Sequence, residues 1–274
     1  TDDSSGYFKV SKMAACTIPD GEGQSVEVIG NPQDEYIVAF DPSWSESESS
    51  DDFAILLIKL NKDTRKGTVV HSYALSGANL KTHIKYMAYT LTHFNVVAVV
   101  GDYNGGVQFM NSCNESDIFK KLDTIDAELD KAQDYEKNIR KLKNQYNRSN
   151  RRFVFLRKPS SSWIRFANES LQAAFDHKKI FFAGAAMDDD YNIQRKSKIP
   201  LKDLKFLVHV TTSVQGTQSF DLPPNLRRQK GADKARKDSY SALLLGNWMM
   251  NIYYDMEAHE GNEGQATFTP MFIS

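Results

Sequence analysis

Three aspartates stand where this sequence could do chemistry. Asp41 ends the apolar run "EYIVAF" (35–40), Asp102 follows the apolar run "NVVAVV" (95–100) after one glycine, and Asp238 precedes "SYSALLLGNWM". Each has an ordinary explanation alone: Asp-Pro opens turns, and an Asp in the first turn of a helix is favoured by the helix dipole. Taken together they say more. Two carboxylates emerging at one sheet edge repel each other unless a cation or a proton joins them. Three carboxylates without a Cys or His partner favour hard divalent cations, Mg²⁺ or Mn²⁺, over zinc. Two such ions about 4 Å apart can activate a water, orient a scissile phosphate and stabilise the leaving oxygen, which is phosphodiester hydrolysis.

The elements that must position these acids are readable from periodicity. Runs at 35–40, 53–60 and 68–75 have strand character, and "NKDTRKG" supplies a turn between the second and third, so an antiparallel meander is predicted. In "NLKTHIKYMAYTLTHF" (79–94), Leu80, Ile84, Met87, Ala88 and Leu91 recur at helical spacing behind Asn79 as N-cap. The wholly apolar 95–100 run suits a central strand covered on both faces. The order β-β-β-α-β predicts a mixed α/β core. Further on, strands are predicted at 151–156, 179–184 and 204–210, with helices at 161–177 and 233–256. The polar segment 211–232 reads as a mobile connection. Over 116–147, Ile118, Ile125, Ala132, Ile139 and Tyr146 recur every seven residues with Leu122 and Leu129 between, a coiled-coil-like seam that fails at Glu136. That predicts a long charged helix folded into a hairpin arm or lid, spanning about 116–150. Residues 1–33, mixed and then rich in Gly, Pro and Ser, read as a linker, N-terminal extension or added edge before one domain over 34–274.

Composition excludes several classes. The 274 residues are 41% hydrophobic and 25% charged, ordinary for a globular chain, and no apolar run approaches the ~20 residues needed to span a bilayer. The start at Thr1 has no signal pattern and suggests a piece of a longer protein. Cys16 and Cys113 sit in unrelated contexts, which fits a reducing compartment, and the six histidines form no zinc spacing. Net charge is −1, yet nine Lys/Arg and no acid lie between Lys137 and Lys158, among them Arg140, Lys141 and Lys143. A second basic cluster includes Arg227, Arg228 and Lys237. Solvated helix faces explain either cluster alone; beside acidic centres they also suit a metal-dependent enzyme acting on a polyanion. Trp44 is read as packing under its loop and Trp163 as core. Gly105-Gly106 lacks the spacing of a dinucleotide-binding turn.

With these residues in place, the chain resembles the RNase H-like superfamily. More narrowly, it is similar to the C-terminal nuclease domain of large terminase subunits, the DNA-packaging motors of tailed bacteriophages and herpesviruses. "AFDPSW…SSDDFAILLIKL", "VVGDYNGG" and the 237–243 helix start "KDSYSAL" carry the resemblance. It implies metal-ligand and catalytic roles for Asp41, Asp102 and Asp238, and places Ser43 and Asp52 near the first metal. Lys237 stands where the family often has a further Asp or His, so it is a phosphate contact or marks a missing ligand. No G-x-x-x-x-G-K-[ST] loop occurs, so the ATPase half of a terminase is absent from this chain.

The resemblance implies a sheet with three antiparallel strands followed by parallel ones, flanked by helices and carrying a long helical insertion. It implies a Mg²⁺- or Mn²⁺-dependent endonuclease, with two ions, that cuts concatemeric viral DNA to genome length. The implied partners are double-stranded DNA, the terminase ATPase domain, the small terminase subunit and the portal protein, inside the host cell and away from membranes. The host compartment is the cytoplasm for a bacteriophage or the nucleus for a herpesvirus. The basic residues, Arg140, Lys141, Lys143, Arg227, Arg228 and Lys237, would follow the DNA backbone. Two other readings stay open: a junction-resolvase or integrase-like nuclease of the same fold, and a non-catalytic scaffold that binds nucleic acid or a packaging partner.

Overall fold

The computed structural model describes residues 7–18, 26–43, 51–117, 123–126, 137–142, 153–183, 209–212, 218–222, 228 and 236–262. The predicted meander forms β1 (Tyr36–Asp41), β2 (Phe53–Asn61) and β3 (Lys66–Leu75), paired antiparallel in sequence order. Near-continuous apolar runs make β1 and β2 apolar on both faces, and β3 is buried over most of its length, so the sheet must be covered on both sides. A helix, α2 (Leu80–His93), covers one side; the Asn79 side chain accepts from the Thr82 amide at 3.1 Å and caps it. The chain then returns as β4 (Val96–Asp102), which lies beside β1 and parallel to it. The next helix, α3 (Tyr103–Asn114), also covers this side.

The remaining strands complete a seven-stranded sheet. β5 (Asp123–Asp126), β6 (Phe153–Arg157) and β7 (Ile180–Phe182) join in the order β5-β6-β4-β1-β2-β3-β7, and every pairing outside the meander is parallel. A short N-terminal helix, α1 (Val10–Ala15), a helical segment α4 (137–142), α5 (Ser161–Asp176) and α6 (Asp238–Asn262) are the other helices described. On the side opposite α2 and α3, α5 and α6 pack with β1, β2 and β4 into a second core, so the sheet is buried between two helical layers.

Two expectations change. The helical hairpin arm predicted over about 116–150 contains β5, an edge strand paired with β6, so the insertion carries part of the sheet. Ile139 and Leu142 of α4 are buried in the α5–α6 core, while Arg140 and Lys141 are exposed. The rest of the predicted arm, including Lys143, lies outside the described residues, as do Arg227 and Trp44. The segment 211–232 is not simply a connection: β8 (His209–Thr212) and β9 (Gln218–Asp221) pair antiparallel within and beside it. Of the readings given for residues 1–33, a linker, an N-terminal extension or an added edge, the described residues fit a packed extension. Phe8, Met13 and Cys16 are buried in the core, and the Ile18 amide donates to the Phe182 carbonyl at 2.9 Å.

The last helix, α6, is buried on nearly all sides from Ala242 to Met256, which is why its sequence shows so little polar face. Trp248 meets Trp163 of α5 edge to face, with ring centroids 6.1 Å apart. The Arg157 guanidinium lies 5.3 Å from the Trp163 ring and 5.8 Å from that of Trp248. Trp163 is core, as its position predicts. Near the other end of α6, Tyr254 accepts from the Asn61 amide at 3.1 Å and donates to the Lys66 carbonyl at 2.5 Å. This holds α6 against the turn between β2 and β3.

Candidate functional site

Strand alternation decides where the acids point. Ile37 and Ala39 of β1, and Ala98 and Val100 of β4, belong to the core beneath α6, so Asp41 and Asp102 lie on that same face one alternation further on. Phe40 pairs with Gly101 in the parallel ladder, which brings Asp41 and Asp102 to neighbouring strand ends, about 5 Å apart in the pairing direction. Asp238, the first residue of α6, is buried. Its Oδ2 accepts from the backbone amide of Asp52, just before β2, at 2.8 Å. Thus two strand ends and one helix start bring three distant parts of the chain to one edge of the sheet.

Two glycines make this edge possible. A Cβ on Gly101 would lie 2.2 Å from the Phe40 ring, so only glycine lets that ring cover β4 one residue before Asp102. Gly105 has φ 82° and follows Asn104 at φ −69°, ψ 112°, the dihedrals of a type II turn. At the entry to that turn the Asn104 amide donates to Asp102 Oδ1 at 2.7 Å, so Asp102 also caps α3. The "DYNGG" stretch is therefore a turn that fixes a carboxylate.

Electrostatically the three acids sense their burial and, at Asp41, one another. Burial first, then the charges of Asp238 and Asp102, push the Asp41 carboxyl well above the ordinary carboxylate range; a hydrogen bond with Ser241 and the charge of Lys237 oppose this. Burial pushes Asp102 up to about 6, against the hydrogen bond from Asn104. It also pushes Asp238 up to about 6, against the Asp52 amide, with the charges of Asp51 and Asp52 adding to the rise. The coupling does not amount to close convergence: among the described residues, no three acidic, histidine or cysteine side chains form a group able to hold a metal ion as they stand. In kind, however, the donors fit a hard divalent cation. They are carboxylates and a hydroxyl whose negative charge the fold leaves poorly solvated.

Around the acids lies a ring of ties that sequence reasoning only partly foresaw. Ser241 was not assigned a role; three residues after Asp238 on a helix, it shares that residue's face, which is the signal that points to it. Arg236 Nε meets Asp52 Oδ1 at 3.2 Å, and Lys237 Nζ meets Asp221 Oδ1 of β9 at 3.0 Å. The Ser43 hydroxyl donates to the Asp51 carbonyl at 3.0 Å. Arg228 is exposed.

No protein-family model matches the sequence, and no curated protein matches it. Solved structures do match the fold. The large terminase nuclease of thermophilic phage G20c with bound magnesium aligns over 89% of this chain and 97% of its own, at 12% identity and a TM-score of 0.50. The large terminase of a second thermophilic bacteriophage aligns over 90% of this chain and 45% of its own, at 9% identity and a TM-score of 0.50. No helix of the described residues is long and apolar enough to cross a membrane. With its antiparallel meander, parallel continuation and two helical layers, this chain has the RNase H-like fold of large terminase nuclease domains.

Proposed function

We propose that this chain is the nuclease domain of a viral genome-packaging terminase: an endonuclease that uses Mg²⁺ or Mn²⁺ to cut concatemeric double-stranded DNA. The observation that carries the reading is the placement of Asp41 and Asp102 at neighbouring strand ends, with Asp238 set against the same edge by α6. Such a cluster is costly to fold around without a counter-charge, since burial and mutual repulsion both oppose ionisation.

In this reading Asp41, Asp102 and Asp238 are the residues that would hold the divalent ions, whose chemistry would be to activate a water and stabilise the leaving oxygen. The chain's own contribution is orientation. Asn104 fixes one Asp102 oxygen, the Asp52 amide fixes one Asp238 oxygen, and Ser241 hydrogen-bonds to Asp41, so each carboxylate is oriented by the chain itself. Lys237 lies close enough to act on the Asp41 charge and can meet a phosphate oxygen on leaving Asp221. Arg140, Lys141 and Arg228, with Lys143 and Arg227, follow the DNA backbone through phosphate contacts, giving salt-sensitive binding with little sequence preference. The ATPase domain, small subunit and portal protein of the same motor are the protein partners, inside the infected host cell.

The test is supercoiled plasmid cleavage with Mg²⁺, Mn²⁺ or EDTA, beside an Asp102→Ala variant of unchanged circular dichroism. Metal-dependent nicking that disappears in the variant supports the reading. Intact plasmid with both proteins in every metal, together with retained DNA binding, favours the non-catalytic scaffold.

A further inference from the structure

Asp52 meets the helix start at Asp238 in two ways. Its backbone amide donates to Asp238 Oδ2 at 2.8 Å, and its carboxylate pairs with Arg236 Nε at 3.2 Å, two residues earlier in the chain. We propose that Asp52 is a positioning residue, not a metal ligand, and that the Asp52–Arg236 pair is a clamp setting the Asp238 carboxylate toward Asp41. This rests on the reading of Asp41, Asp102 and Asp238 as the ion-holding acids.

Three features of the geometry favour a clamp. The pair is well covered, with side-chain exposures of 14% for Arg236 and 17% for Asp52, so neither is a freely rotating surface charge. Asp52 is anchored from behind: Phe53 is fully buried, stacked on the His83 ring at 4.4 Å and parallel to Phe40 at 6.3 Å. The loop before it is tied by the Ser43 hydroxyl to the Asp51 carbonyl. The amide that fixes Asp238 therefore belongs to a residue whose own side chain and neighbours are held. A ligand role suits Asp52 poorly, because a metal on its carboxylate would sit beside the Arg236 guanidinium, cation against cation. Groups that orient metal ligands typically alter metal affinity or activity 10- to 100-fold when changed.

The experiment is calorimetric Mn²⁺ titration of the full chain, with plasmid nicking measured in parallel. The proteins are wild type, Asp102→Asn, Asp52→Asn, Arg236→Gln and the exchanged pair Asp52→Arg with Arg236→Asp, each checked by circular dichroism. The clamp predicts that Arg236→Gln weakens Mn²⁺ binding about tenfold or more, even though it removes a positive charge from beside the site. Asp52→Asn weakens it similarly, and the exchanged pair recovers part of the loss. If Asp52 were a ligand, Arg236→Gln would tighten Mn²⁺ binding and the exchange would recover nothing, which overturns the proposal. Mn²⁺ binding equal to wild type in folded Arg236→Gln also overturns it. Should Asp52→Asn fail to fold, Arg236→Gln alone decides the sign. Failure of the metal reading looks different: wild type and Asp102→Asn would then share the same weak or absent Mn²⁺ binding, and the clamp falls with it.

Discussion

The ring of Phe40 lies across Gly101, so close that a Cβ on the glycine would come within 2.2 Å of it. Gly101→Ala forces the ring or β4 to move immediately beside Asp102. Overpacking of this kind costs about 1–3 kcal/mol, read as a lower melting temperature, and plasmid cleavage should fall with it. Phe40→Leu in the same chain should recover part of both losses. If Gly101→Ala melts like wild type, the contact is not tight.

Removing one acid should stabilise the protein that it inactivates. Asp102 titrates near 6 because of its burial, so at pH 8 its ionised form opposes folding by on the order of 2–3 kcal/mol. In EDTA, Asp102→Asn is expected to melt above wild type. With Mg²⁺ the order should narrow or reverse, because the ion stabilises the wild type by mass action. Thermal melts in EDTA and Mg²⁺ decide this.

Acid stability should show two opposed slopes. Burial lowers the pKa of His71 and of His83 to about 4, below the ordinary 6.5. The unfolded chain therefore takes up these protons first, and stability is lost as pH falls from about 6.5 to 4. Asp102 and Asp238, raised to about 6, do the reverse: the folded state is protonated first, and stability is gained as pH falls from about 6 towards 4. Urea midpoints in metal-free protein should fall more steeply between pH 7 and 4.5 in Asp102→Asn than in wild type. Equal slopes in the two proteins would remove Asp102 from this balance.

Charge reversal at Arg140 and Lys141 separates binding from folding. Both are exposed on α4, whose Ile139 and Leu142 are buried. The double Glu variant should keep the wild-type melting temperature, bind DNA more weakly at low salt, and show a salt dependence shallower by about 2. An unchanged salt dependence would take α4 off the DNA path.

The candidate acids were legible because each interrupts or borders an apolar run, and a strand that must be apolar on both faces makes an acid at its end conspicuous. For the same reason β1 to β4 and α2 fall where periodicity predicts. What stayed hidden was non-local. β5 is the tetrapeptide Asp123–Asp126 inside a heptad-like charged run, and only its pairing with β6 makes it a strand. At the other edge, β7 falls inside the strand predicted at 179–184, but its parallel pairing with β3 has no local signal. The ties of Arg236 to Asp52 and of Lys237 to Asp221 join segments with no mutual signal in sequence. Ser241 was within reach, one helical turn past Asp238.

The amide of Asp52 and the carboxylate of Asp238 are 186 residues apart in the chain. Asp41 and Asp102 come together through the early strands, whereas Asp238 arrives only when α6 lies down across them. Contacts of such long range are slow to close, because loop entropy must be lost before they form. A chain still being synthesised lacks the third acid until its last helix is made, so the assembled site belongs only to a chain made at least through α6.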